Sequence, residues 1–262
     1  KQKSVTKSGH FGLSNQLFYC FAFQPMPHLP ELYLHGLKLL PQLTNPKLLR
    51  LTSYFSQDYE KSFSAKQADF LAAGLNEKDF LLWQERRQTV DLQAESDLLA
   101  GLGIKLIAGS HPNFPKLLKE ISDSPVLLYC RGKDWQAEEL AIAAVGTRKI
   151  TTYGKLACQE IIPPLAASGA TIVSGLAFGV DAEAHLATLK AKGRTVAVLA
   201  GGLDDASLYP SHHQLLAKQI LDAGGSLISE YPPRTAAFQY HFVARNRIVS
   251  GLCAATIVVE CG

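Results

Sequence analysis

Between Leu140 and Asp181 the chain reads LAIAAVGTRKITTYGKLACQEIIPPLAASGATIVSGLAFGVD. Few folds accept that order. The apolar run Leu140–Val145 abuts Gly146, the pattern of a strand buried on both faces of a parallel sheet. An apolar-periodic segment follows, with Thr147, Thr151 and Thr152 as candidate caps and Gly169 where a helix would end. A second buried run, Thr171–Val173, enters a second turn containing Ser174, Gly175 and Gly179. Two βα turns on one edge of a parallel sheet make a crevice of free backbone N–H groups at helix N-termini, which suits phosphate. Arg148 and Lys149 add positive charge to the first turn.

The alternation continues to the end of the chain. Further strands are expected over 195–199, 226–228 and 255–259, with helices over 152–167, 181–192, 211–222 and 245–252. This implies an α/β fold, a Rossmann-like doubly wound parallel sheet with right-handed crossovers. Pro163 and Pro164 should kink the first helix or end it early. A buried strand as the last element would lack its covering helix. The natural polypeptide is therefore expected to continue, leaving a domain over 104–262 incomplete at its C-terminus.

Upstream the pattern changes. From Leu29 to Leu102 several short apolar-periodic segments, punctuated by Pro41, Pro46 and Gly74, predict a small all-α domain over 29–103. Gly36 has no partner glycine nearby, which favours a structural or partner-docking module over a helix-hairpin-helix DNA binder. Short strands over 104–107 and 126–130 flank a proline-punctuated segment and read as a linker element laid against the main sheet. Residues 1–28 carry little periodicity and read as a disordered leader rather than a signal peptide.

Composition narrows the function. The formal charge of the 262 residues is only +3, so a nucleic-acid surface must be a local patch. Five cysteines without a CxxC pair argue against a disulfide framework or a zinc site and fit a reducing, cytoplasmic compartment. No run approaches the roughly 18–20 apolar residues of a membrane span.

Four stretches carry candidate chemistry. In Gly146-Thr147-Arg148 the glycine permits a close turn, the hydroxyl can donate to an anion, and the guanidinium can clamp a phosphate. A bare turn with a surface arginine is the alternative, since neither a Walker loop nor GxGxxG is present. The second stretch runs from Ser174 to Ala182, with His185 one helical turn on. Asp181 is a candidate N-cap or ligand and could bond His185 at i+4. The Ser/His/Asp set invites a hydrolase reading. Against it, there is no GxSxG elbow, and the acid and imidazole share one helix turn. Phe178 either stacks on a base or packs against the linker. The third stretch is Gly201-Gly202-Leu203-Asp204 with Tyr209-Pro210 and His212-His213; adjacent histidines do not share a helix face and make a poor metal site.

The fourth stretch is Tyr240 to Gly251, where aromatics interleave with Arg245, Asn246 and Arg247. That mixture suits a single-stranded nucleic acid. Residues two apart on a helix point about 200° from one another, so one arginine should enter the crevice and the other brace the turn. Arg245, nearer the expected helix start, is the expected contact. Arg247 is the expected brace, on an acid such as Asp204 or Glu230.

Taken in order, these stretches resemble the DNA-processing protein A family, DprA or Smf. The resemblance covers Ile104 to Gly262. It rests on Phe114–Lys119, Val145–Arg148, Val173–Ala177 with Gly179 and Asp181-Ala182, Val198–Asp204, Tyr209-Pro210, Ser229–Pro233 and Arg245–Leu252. The helical region resembles the sterile-alpha-motif-like domain of many members. The resemblance implies a single-stranded DNA binder that protects incoming strands in natural transformation and helps load the RecA recombinase. It implies neither catalysis nor a cofactor. Members commonly dimerise through the later part of the Rossmann domain, so a homodimer is expected of the full natural chain. Phe178 and Ala244 stand where members often carry a basic residue; stacking by Phe178 would offset the lost charge. The expected DNA-binding set is Gly146, Thr147, Arg148, Lys149, Ser174, Gly175, Phe178, Arg245, Asn246 and Arg247. The alternative is a nucleotide hydrolase of the lysine-decarboxylase-like class, whose signature is PGGxGTxxE. Here Ala200–Asp204 lacks the following GT and glutamate.

Overall fold

The computed structural model describes residues 30–136 and 139–261; the expected leader over 1–28 lies outside the described residues. Six short helices come first: α1 (Pro30–Lys38), α2 (Asn45–Tyr54), α3 (Tyr59–Phe63), α4 (Gln67–Ala72), α5 (Glu77–Arg87) and α6 (Leu92–Gly101). Side-chain caps on backbone N–H groups start three of them, from Asp58, Asn76 and Asp91. The inward faces bury Leu34, Leu37, Leu51, Phe70 and Trp83 completely. Gly36 serves this packing rather than a phosphate hairpin, since a Cβ there would lie 2.6 Å from the Phe63 ring.

A seven-stranded sheet follows, built from β1 (Ile104–Ala108), β2 (Leu127–Gly132), β3 (Ala141–Gly146), β4 (Thr171–Ser174), β5 (Thr195–Leu199), β6 (Ser226–Ser229) and β7 (Ala255–Glu260), in the order β1-β2-β6-β5-β4-β3-β7. The last five are parallel, as expected. The expected linker is instead part of the sheet. β2 pairs antiparallel with β6 and β1 with β2, covering the hydrogen-bonding edge that β6 would otherwise expose.

Helices α7 (Lys116–Glu120), α8 (Thr152–Ala167), α9 (Val180–Lys190), α10 (Gln214–Asp222) and α11 (Gln239–Gly251) cover the sheet. Strand alternation sorts the two faces. In β5, Val196 and Val198 join the core beneath α7 and α11, while Ala197 and Leu199 join the core that α10 shares with the six N-terminal helices. His35 on α1 fastens that helix to the sheet, its Nδ1 2.8 Å from the Tyr129 hydroxyl. α8 runs through Pro163 and Pro164 without ending. The carbonyls deprived of donors belong to exposed Gln159 and Glu160, so the lost bonds fall on the solvent side of the helix.

From β3 the chain winds outward to β6, then returns through α11 to β7 on the other side of β3. The winding direction reverses there, which leaves a crevice beyond the carboxyl end of β3. α11 begins at Gln239, six residues before the start expected from sequence.

Candidate nucleic-acid interface

The two βα turns interlock. Thr147 N donates to Glu260 O at 2.7 Å and Val180 N to Thr147 O at 3.1 Å. Gly179 permits this approach: its φ is +80°, and a Cβ there would lie 2.1 Å from Thr147 O.

Several of the donors expected to await phosphate already have partners. Lys149 N donates to Thr147 Oγ1 at 3.2 Å, and Thr151 N donates to the Glu260 carboxylate at 2.9 Å. Thr151 Oγ1 caps α8 by accepting from Gly154 N. In the second turn Asp181 Oδ2 accepts from Gly175 N at 3.1 Å and Ala177 N at 3.3 Å. The crevice of N–H groups is therefore more closed than expected, with part of its donors paired within the protein. Unpaired turn donors are costly, and two carboxylates from neighbouring elements lie within reach.

Ser174 and Gly175 are buried, and the Ser174 hydroxyl donates to Ala144 O at 2.6 Å. Arg245 is 4% exposed, with Nη1 donating to Gly175 O at 2.6 Å and also to Val198 O. Arg245 therefore does not stand at an open edge as expected, but it does line the inner wall of the cleft between the first turn and α11. The earlier start of α11 moves it from a helix end to the middle of the inner face. Gly175 makes room for it, because a Cβ would lie 2.4 Å from Nη2. Burial lowers the Arg245 pKa and raises that of Asp181, and the opposite charge of each partly offsets the shift in the other. Arg247 braces acids: its Nη2 donates to Glu230 at 2.7 and 2.9 Å, and its Nε to Asp123 at 2.9 Å. Asn246 is exposed and accepts from Arg245 Nε at 3.3 Å.

The exposed side chains form a different constellation. Arg148 Cζ lies 5.3 Å from the centroid of the Phe242 ring. Tyr209, half exposed, meets the same ring edge-on at 5.4 Å. Phe178 is 42% exposed, not buried against β1 or β2, and sits 4.9 Å from the His213 ring. Between the first turn and α11 lies a cleft of about 390 Å³, lined by Gly146, Arg148, Phe242, Asn246 and Ser250 among others. Lys149 is exposed next to Arg148. A cation over an aromatic face, beside further exposed rings, can hold a phosphate and stack a base together. Phe242 and Tyr209 were absent from the expected set. Their signal was the aromatic interleaving after Tyr240 and the Tyr209-Pro210 pair.

The hydrolase constellation does not assemble. Ser174 bonds a carbonyl, Asp181 bonds backbone N–H groups, and His185 Nδ1 bonds Thr195 Oγ1 at 2.7 Å. Burial pushes the His185 pKa down to about 3, so its ring is neutral. Among the described residues no group of three or more His, Cys, Asp or Glu side chains could hold a metal ion. No helix among them is long and apolar enough to cross a membrane.

The family model described as DNA recombination-mediator protein A matches residues 105–262. The DNA processing protein DprA of Bacillus subtilis is 40% identical over 159 residues, covering 60% of this chain and 52% of that protein. The chain thus spans about half the length of that relative. The X-ray structure of DNA processing protein A from Streptococcus pneumoniae superposes with a TM-score of 0.70 at 29% identity, over 87% of this chain and 77% of that one. DNA processing protein A of Helicobacter pylori, whose structure addresses a single-stranded DNA binding mode, has a TM-score of 0.52 at 31% identity, over 60% and 69% of the two chains.

Proposed function

This chain belongs to the DNA recombination-mediator protein A family, and from that premise we propose that it binds single-stranded DNA along the rim formed by Arg148, Lys149, Phe242, Tyr209 and Phe178. The observation that carries the reading is the exposed Arg148 guanidinium held over the Phe242 ring at the mouth of the cleft. Arg148 and Lys149 take phosphates, and the rings take unpaired bases. Gly146, Thr147, Ser174, Gly175 and Arg245 shape the site from behind, Arg247 braces the far side of α11, and Asn246 offers a polar group at the lip. The role is a binding one. The nucleotide-hydrolase alternative is not favoured, because the matching family is a recombination mediator. The wider role is protection of incoming strands in natural transformation and help in loading the RecA recombinase, in the cytoplasm, with the full natural chain as a homodimer. Family membership and the motif resemblance support it, and so do cysteines left unpaired at 130, 158, 253 and 261.

The test compares single-stranded with double-stranded oligonucleotides across a salt series. Single strands should bind more tightly, because a duplex keeps its bases from the rings. Arg148→Ala should weaken single-strand binding by roughly 1–3 kcal/mol and reduce the salt slope by roughly 0.7. Unchanged affinity and slope in a folded Arg148→Ala protein would overturn the assignment of this rim.

A further inference from the structure

Helix α11 divides two clefts. Phe242, Asn246, Val249 and Ser250 line the one already described. Tyr240, Ala244 and Arg247, spaced i, i+4, i+7, line a second cleft of about 630 Å³. Its opposite wall comes from the N-terminal helices, with Leu43, Asn45, Pro46 and Arg86. Its floor is the segment 231–235 after β6.

Two properties mark this cleft as a continuation of the rim. The first is aromatic. Phe238 and Tyr240 are 53% and 67% exposed, and their rings are parallel to within 1° at 5.9 Å. Tyr240 meets His241 edge-on at 4.4 Å, and His241 stacks on Tyr231 at 4.0 Å. Exposed rings in such a ladder offer faces for bases. The second is electrostatic. The cleft's three carboxylates are already engaged: Glu230 by Arg247 and Asn45, Asp123 by Arg247, and Glu95 by His35 at 3.1 Å. Arg86 and Arg234 are exposed on the lining, and among the described residues neither forms an ion pair within 4 Å. Arg86 bonds only the neutral Thr89 hydroxyl, at 3.2 Å. Both act on Glu95, whose pKa is lowered first by the His35 hydrogen bond and further by the charges of Arg234 and Arg86, but neither is paired with it directly, which leaves their donors open to an anion.

We propose that this cleft is a second subsite for the same single strand, which crosses the start of α11 over Tyr240 and places phosphates at Arg86 and Arg234. The proposal rests on the rim at Arg148 being the first subsite. The N-terminal helices then contribute directly to DNA binding, which their sequence gives no sign of.

Strand length separates the two subsites. A strand of about 6 nucleotides should fill the first alone, and one of about 20 should reach the second. The variant Arg86→Gln/Arg234→Asn removes both charges; asparagine tolerates the left-handed backbone at 234, where φ is +66°. With the whole chain, the long strand should bind this variant roughly tenfold more weakly, with a salt slope lower by roughly 1.4 for two phosphates. The short strand should bind unchanged. Equal affinity for the long strand, or equal losses at both lengths, overturns the second subsite. Arg148→Ala run in parallel tests the first: loss at both lengths sustains it whatever the cleft variant does.

Discussion

The two βα turns and the leading segment of α11 border one cleft but treat their chemical groups in opposite ways. In the turns several donors are consumed within the protein: Glu260 takes Thr151 N, and Asp181 takes Gly175 N and Ala177 N. The segment from Phe238 to Val243 leaves Val243, on this cleft, and Phe238 and Tyr240, on the cleft across the helix, more than half exposed. A glycine turn with satisfied donors is a rigid support. Exposed rings beside an arginine form a contact surface, because nothing among the described residues covers them. The backbone of the turns thus supplies the geometry of the site, and exposed side chains supply its contact surface, Arg148, Lys149 and Phe178 from the turns with the partly exposed Phe242 from the helix.

The sharpest way to break that division is to replace, on α11, one residue that holds the second turn and one ring that faces the cleft. Arg245→Ala removes a buried guanidinium, orphans the carbonyls of Gly175 and Val198, and leaves Asp181 without its compensating charge. It should cost about 3 kcal/mol of stability by urea denaturation. Phe242→Ala, at the partly exposed ring, should cost less than about 1 kcal/mol of stability but roughly 1–3 kcal/mol of single-strand binding. If Phe242→Ala destabilises as much as Arg245→Ala, the ring is a core residue and the contrast fails.

Acid offers a second test, aimed at the packing behind the second turn. His185 is fully buried there, and its folded pKa, near 3, lies below the free imidazole value of about 6.5. Between those two values the unfolded chain binds a proton that the folded chain refuses. Stability contributed by the neutral ring is therefore complete above about pH 6.5 and falls as the pH drops, by about 1.4 kcal/mol per unit. Between pH 7 and pH 5 this group alone should remove about 2 kcal/mol. His185→Gln lacks that proton site. Its stability relative to wild type should improve by about the same amount over that interval. A wild-type-to-variant difference that stays constant with pH would mean the ring becomes charged in place, and the turn is looser than its packing suggests.

The sheet was legible because buried parallel strands leave continuous apolar runs, and Leu140–Val145 and Thr195–Leu199 mark their strands to within a residue or so. Two errors have local causes. β1 and β2 looked like a linker because antiparallel pairing to a distant β6 leaves no mark in either segment. The start of α11 was placed too late because aromatics and a β-branched residue, Tyr240, Phe242 and Val243, obscure the helical period. That shift turned Arg245 from a surface contact into a buried brace. Arg148 and Lys149 were legible as exposed charges next to a glycine. The closure of the first turn was not. Its acceptor, Glu260, lies 109 residues from Thr151, and only the fold brings β7 beside β3.

Glu260 also gives the finest test of the comparison. Its carboxylate accepts from Thr151 N at the start of α8, and a Cβ on Gly154 would lie 2.2 Å from the same oxygen. The acid therefore occupies the place where a phosphate would sit if this turn were an anion site. Glu260→Gln keeps the size and an acceptor oxygen but removes the charge that the helix dipole favours. Stability should fall by about 0.5–1 kcal/mol. Single-strand affinity should change little: the loss of one negative charge near Arg148 favours DNA slightly, and exposed charges are screened over about 10 Å at 0.1 M salt. If the carboxylate instead competes with a phosphate for this turn, the variant will bind the strand at least tenfold more tightly and with a steeper salt slope. That result would reopen the first turn as a phosphate site and reduce the aromatic rim to an accessory. An affinity that holds while stability slips leaves the turn as support and the rim as the contact.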